Sequence, residues 1–143
     1  MDRPKADSVL VLSGLDPSGA AGIAADIETI NQFGLTPLPI ITLLTAQNTQ
    51  KVESLEVTKN KLLEHQFKLI NEDIPFNTVK IGLLGSSSQI STITNLLKNR
   101  KRLNIILDPI LIAGSNENLS SIEIMEVMKA KLFPLCLLLT PNL

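Results

Sequence analysis

The fold prediction rests on the segment Ser8-Val-Leu-Val-Leu-Ser-Gly-Leu-Asp-Pro-Ser-Gly-Ala-Ala-Gly22. It opens with a nearly continuous apolar run, which is typical of a strand buried on both faces. Glycines and small residues follow, and a helical pattern then extends over 20–33. A buried strand that passes through a glycine-rich loop into a helix is the first half of a βαβ unit, so this segment predicts a parallel sheet.

The same alternation of short apolar runs and helical patterns recurs along the chain. Gly34 is placed to end the first helix, and Ser120 with Glu123 has the spacing of a capping box. The fold class is therefore α/β, a doubly wound and mostly parallel sheet with helices on both faces. The predicted strands are 8–13, 37–44, 78–82, 104–107 and 136–140, and the predicted helices are 20–33, 59–72, 87–99 and 120–132.

Composition restricts the classes of function. The chain has 143 residues, is 44% hydrophobic and carries 13 Lys and Arg against 14 Asp and Glu. The net charge of −1 disfavours binding to nucleic acid or to an anionic membrane surface. The apolar runs are shorter than the roughly 20 residues that cross a bilayer. Cys136 is the single cysteine, so no internal disulfide forms, and a cytoplasmic protein is expected.

In open α/β sheets, ligands bind beyond the carboxyl ends of the strands, and the loop over 14–22 follows the first strand. Its three glycines allow a ligand close to the backbone, and the next helix offers free N–H groups. The loop lacks the Lys-Ser/Thr of the Walker A motif and the spacing of G-x-G-x-x-G, so nucleotide binding does not follow from it. A tight strand-to-helix turn remains an equally good interpretation.

Two further strand ends carry polar side chains. Gln47 follows the second strand, and its planar amide complements a ring edge in which an exocyclic amine donates beside a ring nitrogen that accepts. A turn in which Gln47 and Asn48 satisfy their own backbone is the alternative. Asp108 follows the fourth strand, where a carboxylate suits hydrated Mg²⁺ or a metal bound to phosphate, with a hydrogen-bonded turn before Pro109 as the alternative.

The order of these segments resembles the hydroxymethylpyrimidine/phosphomethylpyrimidine kinases of thiamine biosynthesis, which belong to the ribokinase-like superfamily. The resemblance implies phosphorylation of 4-amino-5-hydroxymethyl-2-methylpyrimidine and then of its monophosphate, with ATP and Mg²⁺. It also implies a small-molecule aminopyrimidine substrate and a homodimer. The segments that carry it are Gly14-Leu-Asp-Pro-Ser-Gly-Ala-Ala-Gly-Ile-Ala-Ala-Asp26, Ala46-Gln-Asn-Thr49, Lys80-Ile-Gly-Leu-Leu84, Leu107-Asp-Pro-Ile110 and Thr140-Pro-Asn-Leu143.

The resemblance also implies which residues bind the substrate. Gln47 matches the family glutamine that hydrogen-bonds the pyrimidine. Gly14 and Asp26 match the loop and helix that close over it. Leu83 and Ile110 match apolar positions on either side of the ring, where the family more often has Met and Val.

A second set of residues is assigned to phosphate, metal and loop shape. Asp108 matches the family carboxylate near the metal and phosphates, and Asn142 matches the first residue of an Asn-x-x-Glu motif associated with both. Asp16, Gly19 and Gly22 are assigned to shaping the first loop.

The resemblance implies that residues 1–143 are the N-terminal part of a single kinase domain, ending after about five strands. The anion hole, the catalytic residue and most of the adenine site belong to the second half of the family's sequence, so no catalytic residue is expected here. Kinase activity of these residues alone is not expected, because phosphoryl transfer depends on positioning and charge stabilisation. A non-catalytic pyrimidine-binding or regulatory protein and a fragment of a pyridoxal-type kinase are the alternatives.

Overall fold

The computed structural model describes residues 7–110 and 121–142, and Ser120 of the predicted capping box lies outside them. A π-helical segment, Met128–Leu132, and a 3-10 turn, Phe133–Leu135, follow the fourth helix. The strands are β1 Ser8–Leu15, β2 Thr36–Gln47, β3 Val52–Val57, β4 Thr78–Ile81, β5 Asn104–Leu107 and β6 Leu138–Leu139. The helices are α1 Gly22–Gln32, α2 Asn60–Asp73, α3 Ser87–Leu97 and α4 Ser121–Val127.

These strands form one sheet in the order β3-β2-β1-β4-β5-β6, with every neighbouring pair parallel except β2 and β3. The mostly parallel α/β fold is thereby confirmed. The central strand β1 is buried along almost its whole length, as its apolar run predicted. Within the described residues, no helix combines the length and apolar character needed to cross a membrane.

Alternate residues of β1 divide the core into two layers. Leu10 and Leu12 belong to the larger cluster, which includes apolar side chains of α2 and α3. Val9 and Val11 pack with Ile23 of α1 on the opposite face. Helices therefore cover both faces of the sheet, and the period-2 alternation of the strand accounts for the separation.

Gly34 ends α1 as predicted. Its φ of +73° lies in the left-handed region that glycine adopts without steric cost. The Gly34 N–H donates to the carbonyl of Asn31, and the Leu35 N–H donates to the carbonyl of Ile30. These two bonds form a Schellman motif, which satisfies carbonyls that the helix end would otherwise leave unpaired.

The strand β3 was not predicted, and it is the sixth strand where about five were expected. It forms an antiparallel hairpin with the end of β2, pairing Leu43 with Val57 and Gln47 with Val52. Its side chains are mostly exposed, so it lacks the continuous apolar run that identified the other strands. As a consequence β2 extends to Gln47, which lies on the strand rather than in a loop.

The prediction for the last strand was wrong in extent and in burial. The apolar run over 136–140 resembles a central strand, but β6 spans only Leu138–Leu139 and lies at the sheet edge. The side chain of Leu137 is 71% exposed. Cys136 packs against the larger core cluster instead, and burial raises the pKa of its thiol to about 11.

Arg100, in the turn after α3, is held against the protein. Its guanidinium lies 4.1 Å from the centre of the Phe76 ring, and Nη2 donates to the Phe76 carbonyl at 3.1 Å. A cation over an aromatic face is favourable, and a carbonyl acceptor satisfies one of its donors. Through these two contacts, Arg100 holds the turn after α3 against the segment before β4.

Candidate functional site at the carboxyl ends of the strands

Asp16 organises the loop that follows β1. The residue is 7% exposed, and its carboxylate accepts the Ser18 N–H at 2.8 Å through Oδ1 and the Ser18 hydroxyl at 2.9 Å through Oδ2. The carbonyl of Asp16 accepts the Gly19 N–H at 3.1 Å. These bonds close a short turn that the Asp side chain stabilises.

The hydrogen bonds lower the pKa of the Asp16 carboxyl below its ordinary value of 3.8. The Ser18 hydroxyl contributes most to the lowered pKa and the Ser18 backbone N–H next, while burial of the carboxyl opposes the shift. A lowered pKa means that folding favours the ionised form. The resulting stabilisation is present above pH 3.8 and is lost as the pH falls below that value toward the folded-state pKa.

Gly22 allows the loop to fold back on β1. Its φ is +63°, and a Cβ at this position would lie 2.4 Å from the carbonyl oxygen of Gly14. Gly19 also has a positive φ, +76°, but a Cβ there would meet no atom within 4 Å. Glycine is therefore required at position 22 because the backbone of β1 lies too close for a side chain. Glycine at position 19 is favoured only because its φ is positive.

Gln47 lies in the wall of an open cleft of about 500 Å³ between this loop and the β2–β3 hairpin. The Thr45 hydroxyl donates to the Leu15 carbonyl at 2.9 Å and holds the end of β2 against the start of the loop. The cleft combines apolar and polar side chains. Its lining residues are Pro17, Thr45, Ala46, Gln47, Asn48, Lys51 and Glu53.

Gly14 and Leu83 lie next to each other, as their shared assignment to the substrate site requires. A Cβ on Gly14 would be 3.3 Å from Cδ2 of Leu83 and 3.0 Å from Cδ1 of Leu43. The Leu83 carbonyl accepts the hydroxyl of buried Thr42 at 2.6 Å. The loop between β4 and α3 thus places the apolar side chain of Leu83 beside Gly14, which has no side chain.

Asp26 is engaged with the sheet. Its Oδ2 lies 2.8 Å from the Lys80 ammonium nitrogen, and the two side chains are only 19% and 22% exposed. Lys80 belongs to β4, so the ion pair ties α1 to the centre of the sheet. The hydroxyl of Ser13 is buried beside this pair without a hydrogen-bond partner, and a Cβ on Gly82 would contact both Ser13 and Lys80.

Replacing Lys80 with methionine is expected to lower the free energy of unfolding by about 2 kcal/mol, because the substitution keeps the apolar stem and leaves Asp26 unpaired. Urea unfolding followed by circular dichroism measures the change. Lys129→Met is the control, since its ion pair with Glu126 is largely exposed and is expected to contribute about 0.5 kcal/mol or less. Equal effects of the two substitutions would contradict the importance of the Lys80 pair.

The residues assigned to phosphate and metal follow β5 and β6, which are parallel neighbours. The Asp108 N–H donates to the Ile81 carbonyl at 2.9 Å, and the Ile110 N–H donates to the Asp108 carbonyl at the same distance. Thr140 donates its N–H to the Leu107 carbonyl, and Asn142 follows it in exposed chain. Asp108 and Asn142 therefore both follow the carboxyl ends of neighbouring parallel strands.

No group of three or more His, Cys, Asp and Glu residues within 7–110 and 121–142 is arranged to hold a metal ion. Asp108 and Asn142 alone offer few oxygen ligands, whereas Mg²⁺ demands near-octahedral coordination. The described residues do not by themselves fit a metal site, and we assign no chemical step to a metal held by them.

Sequence reasoning assigned no role to Lys80 and Gln89. The lysine within the apolar run of β4 could have indicated an ion pair, because a charge in a buried strand is almost always paired. Gln89 is fully buried on α3, where its side chain accepts the Gly85 N–H at 3.0 Å and donates to the Thr42 carbonyl at 2.8 Å. A glutamine within a helical pattern gives no comparable signal, since most glutamines of helices are solvated.

Comparison with known proteins gives a consistent result. Residues 16–143 match the family described as phosphomethylpyrimidine kinase. The hydroxymethylpyrimidine/phosphomethylpyrimidine kinase of Aquifex aeolicus is 37% identical over 133 residues, which are 93% of this chain and 52% of that protein. The chain thus spans about half the length of this curated relative.

Solved structures show the same relation. The phosphomethylpyrimidine kinase of Clostridium difficile 630 superimposes with a TM-score of 0.85 at 36% identity, covering 95% of this chain and 59% of that one. A pyridoxal kinase of Staphylococcus aureus reaches a TM-score of 0.84 at 20% identity, covering 98% of this chain and 51% of that one. The second likeness is one of fold alone.

Proposed function

Because the chain belongs to the phosphomethylpyrimidine kinase family, we propose that it forms the substrate-binding part of a kinase of thiamine biosynthesis. The proposed substrates are 4-amino-5-hydroxymethyl-2-methylpyrimidine and its monophosphate, which receive a phosphoryl group from ATP. The observation that carries the proposal is the position of Gln47 in the cleft beside the glycine-rich loop. Its amide can accept from the exocyclic amine of the ring and donate to the adjacent ring nitrogen.

The apolar faces of the ring require apolar walls, and Leu83, which lies beside Gly14 and outside the lining of the cleft, is proposed as one of them. Ile110 is the proposed opposite wall. Asp26 is proposed to help close α1 over the substrate, although its carboxylate is paired with Lys80 in the free protein. Asp16, Gly19 and Gly22 are proposed to act by shaping the loop.

Further proposals follow from the family. ATP is the proposed phosphoryl donor, with Mg²⁺ and phosphate near the strand ends that carry Asp108 and Asn142. A homodimer is proposed from the same family relation. Residence in the reducing cytoplasm is proposed from the single cysteine, Cys136.

A pyridoxal-type kinase is the competing function, since the fold is shared with pyridoxal kinases. Pyridoxal has no exocyclic amine beside its ring nitrogen, so it cannot use both hydrogen-bonding groups of the Gln47 amide in the same way. The aminopyrimidine is therefore expected to bind more tightly than pyridoxal.

Calorimetric titration of the 143-residue protein with the hydroxymethylpyrimidine tests the proposal. We expect binding that Gln47→Ala weakens about tenfold or more, because the substitution removes two hydrogen bonds to the ring edge. Gln50→Ala is the matched control, since Gln50 is exposed in the hairpin turn and does not line the cleft. Tighter binding of pyridoxal, or equal loss in the two variants, would overturn the proposed substrate class.

A further inference from the structure

Thr42 is a fully buried threonine of β2 whose hydroxyl and carbonyl both bind other segments of the chain. Its hydroxyl donates to the Leu83 carbonyl at 2.6 Å. Its carbonyl accepts the Thr58 N–H at 2.9 Å and the Nε2–H of Gln89 at 2.8 Å. Thr42 therefore joins β2 to the loop between β4 and α3, to α3 itself and to the segment that follows β3.

The loop between β4 and α3 is held by its backbone on either side of Leu84. The Leu83 carbonyl is bound by Thr42, and the Gly85 N–H donates to Oε1 of Gln89 at 3.0 Å. Leu84, between these two residues, is buried and belongs to the larger core cluster. The loop is thus fixed by two hydrogen bonds and a buried side chain, while the side chain of Leu83 stays partly exposed.

Close packing restricts the same loop on the side that faces the sheet. A Cβ on Gly85 would lie 2.5 Å from Cγ2 of Val57 and 3.3 Å from Cδ2 of Leu43. Side chains of β2 and β3 therefore leave the loop no room to move toward the sheet. The hydrogen bond from Thr42 resists movement in the opposite direction, so the position of the loop depends on the Thr42 hydroxyl.

We propose that Thr42 is a positioning residue whose hydroxyl holds Leu83 beside Gly14, where its side chain forms one wall of the site for the substrate ring. This inference rests on the proposed function, in which Leu83 contacts a face of the ring. Thr42 acts through the backbone of the loop and does not touch the ligand, because it is fully buried. A wall that is fixed before binding reduces the entropy lost on ordering it around the ligand, so the hydrogen bond contributes to affinity.

Thr42→Val and Thr42→Ser separate this role from simple packing. Valine keeps the shape of threonine and removes the hydroxyl, whereas serine keeps the hydroxyl and loses a methyl group. Calorimetric titration with the hydroxymethylpyrimidine is expected to show binding about fivefold weaker in Thr42→Val and within about twofold of the wild type in Thr42→Ser. Urea unfolding followed by circular dichroism verifies that each variant is folded under the conditions of the titration.

Thr94→Val is the matched control for the loss of a buried hydroxyl. Thr94 lies on α3, and among the described residues its hydroxyl has no hydrogen-bond partner. The substitution therefore removes a hydroxyl without releasing the loop, and wild-type affinity is expected. A loss of affinity in Thr94→Val equal to that in Thr42→Val would contradict a specific role of the bond to Leu83.

A second measurement uses the ligand-free protein and separates this inference from the proposed function. In ¹³C-methyl NMR relaxation, the Leu83 methyl groups of the wild type are expected to be rigid on the picosecond-to-nanosecond timescale, unlike those of exposed Leu62. They should become more mobile in Thr42→Val and not in Thr42→Ser. If the wild type binds no pyrimidine, the proposed function fails, and the NMR comparison decides whether Thr42 holds Leu83. Mobile Leu83 methyl groups in the wild type, or equal affinities of Thr42→Val and Thr42→Ser, would overturn the inference.

Discussion

Replacing Gly22 with alanine is expected to lower the free energy of unfolding by about 3 kcal/mol or more. The backbone φ of +63° alone costs a side-chain-bearing residue about 1–2 kcal/mol. The added Cβ would also lie 2.4 Å from the Gly14 carbonyl oxygen, which is backbone in a buried strand and has little room to move. The chain has no Trp or Tyr, so urea unfolding is best followed by circular dichroism.

Gly19→Ala is the control for this prediction, because Gly19 shares the positive φ and a Cβ there would meet nothing within 4 Å. It is expected to cost about 1 kcal/mol, the conformational part alone. Pyrimidine affinity should also fall further in Gly22→Ala, since the loop must move away from β1. Equal losses of stability in the two variants would show that the contact with Gly14 is not limiting.

The buried centre of the fold could be predicted because its sequence signals are local. A continuous apolar run identified β1, and a Gly after a helical pattern identified the end of α1, where Gly34 indeed has positive φ. Burial and backbone conformation at a single position depend strongly on the residue at that position, so the sequence indicates them directly. The separation of the two core layers then follows from the period-2 alternation of β1, which places Leu10 and Leu12 on one face and Val9 and Val11 on the other.

The edges of the sheet could not be predicted in the same way. Both edge strands are largely exposed: β3 lacks the apolar run of a buried strand, and the apolar run that contains β6 wrongly indicated a buried central strand. For β3 a weaker indication was present, since the polar turn over 48–51 separates a segment that contains Ile and Leu from one that contains Val and Leu. The Asn48 side chain accepts the N–H groups of Gln50 and Lys51 there, which is typical of a hairpin connection.

The candidate site was predictable only in part. Of the residues that the resemblance named, Gln47 lines the cleft between the first loop and the hairpin, whereas Gly14 and Leu83 lie beside each other outside the lining of that cleft. The partners that hold them, Lys80 and Gln89 among them, arise from contacts between segments far apart in the sequence. Such contacts depend on the topology of the fold, so no local sequence pattern predicts them.

Gln89→Met is expected to lower the free energy of unfolding by about 3 kcal/mol, although the two side chains are similar in size. Gln89 is fully buried and joins three segments, accepting the Gly85 N–H and donating to the carbonyls of Thr42 and Thr58. Methionine replaces none of these bonds and leaves the Gly85 N–H without its acceptor. Unfolding in urea, followed by circular dichroism, measures the loss.

Gln66→Met is the matched control, because the same substitution has the opposite expected sign. The Oε1 atom of Gln66 on α2 is buried without a hydrogen-bond partner, so methionine removes an unsatisfied acceptor and should leave stability unchanged or raise it by up to about 1 kcal/mol. Gln89→Met should also weaken pyrimidine binding, because the loop it anchors carries Leu83. Similar stability changes in the two variants would mean that side-chain packing, and not the buried hydrogen bonds of Gln89, holds this loop against the sheet.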